Sequence, residues 1–192
     1  GLHQLRGACG LRQRDSERPI GDLKSLTDQL RQRQRPIAVA TPACDVARVV
    51  RATTRILQES VAPSACLHVV LEGSPVAPIA PAQLGQLLVH LLTNAVEAVA
   101  GQPRAQASVT ILVGETEREA VVRVSDSGPG VPPEFLERVF DPFFSTHEGA
   151  QGVGLAVARR LAEQAGGRLE AEARGAQGAC FVLTLPKVAT AR

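Results

Sequence analysis

Two glycine-rich segments constrain this chain more than any other feature. The first, Asp126-Ser127-Gly128-Pro129-Gly130, comes at the end of an apolar run that is typical of a strand. A carboxylate in that place can accept a hydrogen bond from an exocyclic amine such as that of adenine, while the two glycines let backbone approach a ligand without a Cβ in the way. The segment therefore predicts a pocket for a purine base at a strand end.

The second segment, residues 149–155, contains Gly152 and Gly154 and leads directly into a helical pattern. Backbone N–H groups at a helix N-terminus are free of intrahelical partners and bind phosphate well. Either glycine string alone is weak evidence. Together they match the base end and the phosphate end of one nucleotide, so we predict a single nucleotide site formed by both segments.

A helix is predicted between Pro81, a favoured residue in a first helical turn, and Gly101. Its core face is apolar and consists of Leu84, Leu87, Leu88, Leu91, Ala95 and Ala98. Polar side chains recur at helical spacing on another face, at Gln83, Gln86, His90, Asn94 and Glu97. Two interpretations of this polar stripe stay open. It is either the solvated side of the helix or a face toward a metal–phosphate group, because the Asn94 carbonyl is a hard oxygen ligand that Mg²⁺ accepts.

The remaining patterns alternate between strands and helices. Strands are predicted over 37–40, 67–72, 106–113, 119–125, 168–173 and 179–185. Helices are predicted over about 45–60, 132–139 and 154–165. The apolar face of the first of these helices consists of Val46, Val49, Val50, Thr53, Ile56 and Leu57. This order predicts an α+β fold, a two-layer α/β sandwich with a mixed, largely antiparallel sheet.

Charge and cysteine usage exclude several classes of protein. The net charge of +2 over 192 residues is too small to indicate a nucleic-acid-binding protein. The four cysteines are scattered without a C-x-x-C pair and the four histidines are equally dispersed, so no zinc site is predicted and reduced thiols fit a cytoplasmic location. No apolar run approaches the roughly 20 residues of a membrane span. The chain lacks an initiator Met, so an anchor upstream in a longer protein stays open.

Residues 1–36 form a basic leader that differs from the rest of the chain. They hold eight basic and four acidic side chains and are interrupted by glycine and proline. Leu23, Leu26 and Leu30 give a thin apolar stripe on a short helix of about 22–34. This leader is either solvated or packed on a partner helix or on the following domain. We predict boundaries at 1–36 for the leader, 37–187 for the main domain and 188–192 for a tail.

Three of the five phenylalanines cluster in Phe140-Asp141-Pro142-Phe143-Phe144-Ser145-Thr146. Clustered aromatic residues in a glycine- and proline-rich segment often pack a loop onto its domain. They could equally anchor the hinge of a lid over a ligand. Both interpretations stay open.

Four segments together resemble the ATP-binding domain of bacterial sensor histidine kinases, in the superfamily of gyrase, Hsp90, histidine kinases and MutL (Bergerat fold). Residues 90–98 look like the asparagine box and residues 126–130 like the first glycine box. Residues 140–144 look like the phenylalanine box, and residues 152–155 like the second glycine box. The phenylalanine box points to kinases of the nitrogen-regulation or dicarboxylate-sensing type. The resemblance covers about 37–187.

The resemblance implies a site for ATP and Mg²⁺. In it Asn94 would hold Mg²⁺, Asp126 would read adenine, and His90 would position a group near the γ-phosphate. Other residues that match the nucleotide-binding positions of the family are Glu97, Gly128, Gly130, Phe143, Thr146, His147, Gly152, Val153, Gly154 and Leu155. Relatives often carry Lys after a Phe-Phe-Thr-Thr segment. Here the residue at that point is His147, so the local charge depends on pH.

The resemblance also implies transfer of the γ-phosphate to a histidine on a dimerising helical hairpin, supplied upstream in cis or by a partner in trans. A response regulator and a homodimeric full-length protein follow from it as partners. His3 only faintly resembles the acceptor site, so we expect the chain alone not to become phosphorylated. The alternatives are a non-catalytic adaptor or phosphotransfer-docking domain on the same fold, and a serine kinase of the anti-sigma type.

Overall fold

Five strands form the main sheet of the protein, and helices flank it. The computed structural model describes residues 42–62, 64–145, 152–174 and 178–188. The strands are β1 (Cys44–Asp45), β2 (Cys66–Leu71), β3 (Val76–Ala77), β4 (Ser108–Glu115), β5 (Glu119–Asp126), β6 (Arg168–Ala173) and β7 (Ala179–Pro186). The helices are α1 (Val46–Val61), α2 (Pro81–Ala98) and α3 (Gly154–Gln164).

The strands of the main sheet lie in the order β2-β4-β5-β7-β6. β2 pairs with β4 in parallel, whereas the other three pairings are antiparallel. β1 and β3 form a separate antiparallel pair. α1 packs against β2, α2 against β4 and β5, and α3 against β6 and β7. The predicted α+β sandwich with a mixed, largely antiparallel sheet is therefore confirmed.

α2 supplies much of the apolar core. Leu84, Leu87, Leu88 and Leu91 are fully buried, as predicted, and burying a leucine side chain contributes roughly 1.5–3 kcal/mol. The side of the sheet that faces α2 is apolar too. Alternate residues of a strand point to the same face, and on this face the residues of β4 and β5 are apolar. These residues are Val109, Ile111, Val113, Val122 and Val124, and all five are fully buried.

The predicted apolar face of α1 is wrong at one position. Ile56 is 76% exposed, whereas Thr53 and Thr54 are buried. The buried stripe is therefore rotated away from Ile56. Thr54 tolerates burial because its hydroxyl donates to the Val50 carbonyl at 2.8 Å, so no polar group is left without a partner.

Other boundaries shift for local reasons. The Asp45 side chain accepts from the Arg48 N–H at 3.0 Å and caps α1, so that helix begins one residue later than predicted. Residues 133–140 form two short 3-10 turns, Pro133–Phe135 and Arg138–Phe140, instead of one helix. The predicted strand over 37–40 and helix over 22–34 lie outside the described residues.

The cysteines of the described residues form no disulfide. Cys44, Cys66 and Cys180 are free thiols. Burial raises the pKa of the Cys44 thiol, and the charge of Asp45 adds to the effect.

Among the helices of the described residues, none has the length and apolar character needed to cross a bilayer.

Candidate nucleotide site

A cavity of about 440 Å³ lies among α2, the start of α3, the end of β5 and the beginning of β7. It brings together nine of the predicted site residues: His90, Asn94, Glu97, Asp126, Gly130, Gly152, Val153, Gly154 and Leu155. The two glycine segments and the polar stripe of α2 are far apart in sequence, but residues of all three line the same cavity. A cavity of this volume is within the usual range for small-molecule sites.

Asp126 lines this cavity. Its side chain is only 4% exposed. The Oδ1 atom accepts from the Gly128 N–H at 2.8 Å and from the Ala179 N–H at 3.2 Å. The Oδ2 atom is buried and has no hydrogen-bond partner among the described residues. An ionised carboxylate only accepts hydrogen bonds, so this free oxygen needs a donor, and a ligand amine in the cavity can supply one.

Burial also changes the acidity of Asp126. Desolvation raises the pKa of this carboxyl, and the hydrogen bonds from Gly128 and Ala179 offset only part of that rise. The charged form is therefore held at some free-energy cost. A hydrogen-bond donor at Oδ2 would reduce the cost, and this makes the carboxylate a binding group for a donor.

Gly128 lies behind the cavity wall and does not line it. A Cβ on this residue would lie 2.7 Å from the Ala98 carbonyl oxygen and 2.8 Å from Asp126 Oδ1. Gly178 is similar, since a Cβ there would collide with the Asp126 carbonyl oxygen. The two glycines thus allow backbone to pack closely around Asp126.

The polar stripe of α2 divides into two parts. His90, Asn94 and Glu97 line the cavity, whereas Gln83 and Gln86 do not and are exposed to solvent. No three His, Cys, Asp or Glu side chains come together as a metal site in the described residues. A cation in this cavity would therefore depend on amide or carboxylate oxygen from α2 together with phosphate and water oxygens. Mg²⁺ accepts such a set.

The start of α3 also lines the cavity. Its N-terminus has no side-chain cap, so the first-turn N–H groups are available to an anion. Gly152 has a φ of 64°, and a Cβ on it would lie 2.5 Å from the Phe144 carbonyl oxygen. His90 Nδ1 lies 3.5 Å from the position of a Cβ on Gly154. His90 and the uncapped helix start are therefore neighbours.

Phe143 is not part of the cavity wall, in contrast to the prediction. Its φ of 68° turns the residue outward, and its side chain is 82% exposed. Phe144 lines the cavity instead. Its ring packs 5.5 Å from that of Phe135, and the Arg138 guanidinium lies 5.1 Å from the Phe144 ring. Phe144 thus packs this loop onto the domain, which is one of the two interpretations given above.

Two predicted residues, Thr146 and His147, lie outside the described residues and stay predictions. Conversely, several apolar residues of the wall were not predicted from the sequence. These are Ala98, Val131, Val139, Ala179 and Phe181. β7 is apolar in the sequence at every position except Thr184, so no periodicity marks Ala179 and Phe181 as wall residues. They reach the cavity only because β7 pairs with β5, with Cys180 opposite Ser125.

The sequence model of the family described as histidine kinase-, DNA gyrase B-, and HSP90-like ATPase matches residues 79–189. The sensor histidine kinase ZraS of Salmonella typhi is 36% identical over 110 residues, which are 57% of this chain and 23% of that protein. ZraS of Klebsiella oxytoca is 30% identical over 168 residues, 85% of this chain and 35% of that protein. The chain thus spans about a quarter to a third of these relatives.

One solved structure similar to this one has the same fold over nearly its full length. The mycobacterial sensor histidine kinase MprB has a TM-score of 0.68 at 21% identity, covering 78% of this chain and 99% of that chain. Its length matches the nucleotide domain described here. The chain therefore belongs to the family of histidine kinase-, DNA gyrase B- and HSP90-like ATPases, and its domain is the catalytic ATP-binding type found in sensor histidine kinases.

Proposed function

We propose that this chain binds ATP with Mg²⁺ and presents the γ-phosphate to a histidine on a helical hairpin, supplied upstream in the same polypeptide or by a partner in trans. The observation that carries the proposal is Asp126, whose buried Oδ2 atom lacks a partner among the described residues while the side chain lines a cavity. Adenine offers an exocyclic N–H donor for that oxygen. Guanine would place a carbonyl oxygen there, so that two acceptors would oppose each other.

The other predicted site residues have the following roles in this proposal. The uncapped N-terminus of α3, with Gly152 and Gly154, binds the phosphates. Asn94, with Glu97 beside it on α2, holds Mg²⁺, which neutralises phosphate charge when it is bound. His90 lies next to the start of α3 and positions a group at the phosphate end. Gly128 and Gly130 support the base end, and Val153 and Leu155 close the wall.

Phosphoryl transfer requires little covalent chemistry from the protein, so the protein contributes mainly by positioning the reactants and neutralising charge. The residues described here can bind and orient the nucleotide. An acceptor histidine must come from elsewhere, because His90 is part of the cavity wall and His68 lies on β2, away from the cavity. We propose that Thr146 and His147 also contact the nucleotide.

The partners proposed for the full-length protein are a response regulator, a phosphoacceptor hairpin and a second copy of the protein. The sensor histidine kinases among the relatives support a role in signal transduction by phosphorelay. We propose that this domain acts in the cytoplasm, without nucleic acid or membrane contact of its own.

Two measurements test this function. Titration calorimetry with Mg²⁺–ATP should show binding, and an adaptor that has lost nucleotide chemistry would show none. Adding γ-labelled ATP and a histidine-bearing helical hairpin in trans should then produce acid-labile, base-stable label on the hairpin. Label that is stable in acid would indicate a serine kinase instead. A chain that binds ATP but labels neither this hairpin nor its own upstream sequence would contradict the kinase assignment.

A further inference from the structure

Gln102 lies in the turn after α2 and contacts the adenine-reading segment without entering the cavity. Its side-chain Nε2 donates to the Ser127 carbonyl at 3.0 Å. The Ser127 hydroxyl lies 3.3 Å from Gln102 Oε1, so the amide contacts the same residue at two points. Gln102 is half-buried and Ser127 is half-buried. Neither residue is among those assigned to nucleotide binding above.

The Ser127 carbonyl belongs to the same peptide group as the Gly128 N–H. That N–H donates to Asp126 Oδ1 at 2.8 Å in a buried hydrogen bond. A peptide group is planar, so the orientation of its C=O end determines the orientation of its N–H end. Gln102 holds one end of this plane and Asp126 receives the other. The amide of Gln102 is thus linked through one rigid group to the carboxylate whose second oxygen lies free.

Ser127 is held from other sides as well, but at different atoms. Its N–H donates to the Ser108 carbonyl at 3.0 Å, and its hydroxyl accepts from the Ser108 N–H and donates to the Gln106 carbonyl, both at 2.9 Å. These bonds attach Ser127 to β4 and to the loop before it. Among the described residues, only Gln102 is seen to donate to the Ser127 carbonyl, so this one side chain holds the carbonyl end of the Ser127–Gly128 peptide, whose N–H end is bound to Asp126.

We propose that Gln102 is a positioning residue for base recognition, which orients the Ser127–Gly128 peptide and through it directs the free oxygen of Asp126 toward the bound purine. This inference rests on the proposed nucleotide function and extends it to a residue outside the cavity wall. Gln102 follows α2, the helix that carries Asn94. It therefore also joins the helix of the metal end to the strand of the base end.

The test compares a ligand that has a base with one that has none. Gln102→Leu removes both polar atoms at nearly constant size. We expect its Kd for ADP to rise about three- to tenfold, the usual effect of one hydrogen bond, while its Kd for inorganic tripolyphosphate with Mg²⁺ stays at the wild-type value. Gln106→Ala is the matched control, because only the backbone carbonyl of Gln106 contacts Ser127. It should leave both constants unchanged.

A second variant guards against misfolding. Gln102→Glu keeps an acceptor near the Ser127 hydroxyl but places an oxygen against the Ser127 carbonyl, so it should lose ADP selectivity like the leucine variant. Equal losses for ADP and tripolyphosphate in both variants would show a merely structural role and overturn the inference. Wild-type affinity for ADP in both variants would overturn it too. If the wild-type chain itself bound no ADP, the proposed function would fail, and the inference with it.

Discussion

Asp126 is a buried carboxyl in the cavity wall, and its pKa links the site to the stability of the fold. Its raised pKa, caused first by burial, means that the folded chain binds the proton more tightly than the unfolded chain does. Stability from this group is therefore fully present below the ordinary carboxyl pKa of 3.8 and is lost as the pH rises through the folded value. In the ligand-free protein burial disfavours the charged form of this carboxyl, and a ligand amine at Oδ2 would relieve that cost.

Replacing Asp126 by Asn should separate folding from function. Asp126→Asn keeps an oxygen that can accept from Gly128 and Ala179 but removes the buried charge. We expect the ligand-free variant to be more stable than wild type at pH 7 by about 1 kcal/mol, with the difference shrinking as the pH falls. Its preference for ATP over GTP should disappear, a loss of about 1.5–3 kcal/mol. Calorimetric unfolding over a pH series and nucleotide titrations measure both effects.

Asp45 provides a matched control for this substitution. Burial tends to raise its pKa, but hydrogen bonds from the Arg48 N–H and the Ser74 hydroxyl outweigh that effect and lower it. Stability from Asp45 is thus present above the ordinary pKa and lost as the pH falls through the lower folded value. Asp45→Asn should destabilise slightly at pH 7, opposite in sign to Asp126→Asn. The same sign for both variants would contradict the assigned burial effect at Asp126.

Asn94 should link nucleotide binding to Mg²⁺. Asn94→Ala removes the proposed oxygen ligand of Mg²⁺ from the cavity wall but no core side chain, since the residue is only half-buried. We expect wild-type thermal stability, with ADP binding that Mg²⁺ no longer strengthens and no phosphoryl transfer. Gln86→Ala, on the same stripe but outside the cavity, should behave as wild type. An Asn94→Ala variant with full magnesium dependence would indicate a solvated helix face only.

At the scale of elements, close backbone packing joins the end of β5 to the end of α2. Gly128→Ala would place its Cβ 2.7 Å from the Ala98 carbonyl oxygen, a backbone atom that cannot move aside cheaply. We expect a loss of about 1–3 kcal/mol. Gly85→Ala lies inside α2, and its Cβ would meet only the Thr53 Oγ1 atom at an ordinary 3.6 Å. It should stabilise the protein by roughly 0.5–1 kcal/mol.

Urea unfolding of the two alanine variants measures these opposite effects on the free energy of unfolding. The midpoint should fall for Gly128→Ala and rise for Gly85→Ala, with similar denaturant slopes. Equal stability in the two variants would show that the contact between Gly128 and Ala98 relaxes without cost.

At the scale of the whole molecule, we expect nucleotide binding and phosphate acceptance to depend on different parts of the full-length protein. We expect the isolated chain to bind ATP without becoming stably phosphorylated on histidine. Transfer needs an acceptor imidazole held in line with the γ-phosphate. His90 belongs to the cavity wall and His68 to β2, whereas His3 and His147 lie outside the described residues. Incubation with γ-labelled ATP tests this. Strong label that is lost in His3→Gln would show that the leader is itself an acceptor.

The sequence alone determined the elements and most of the site. Strand and helix periods, Pro81 at the start of α2 and glycine at the ends of helices are local signals, and they predicted the sandwich. The motif residues Asn94, Asp126, Gly152 and Gly154 also proved to share one cavity. Local signals are sufficient here because the backbone conformation and the hydrophobic face of an element depend on neighbours a few residues away.

Only the tertiary structure decided which atoms surround Asp126. Its contact with Ala179 joins residues 53 positions apart and depends on β7 lying beside β5. The packing of Gly128 on Ala98 and the outward turn of Phe143 likewise depend on the packing of the folded domain and not on a local sequence signal. A periodic pattern predicts which face of a helix is apolar but not which element covers that face. For this reason the pattern places Ile56 on the buried face of α1, whereas the structure exposes it. Strand order and close backbone contacts are set by the packing of the whole domain.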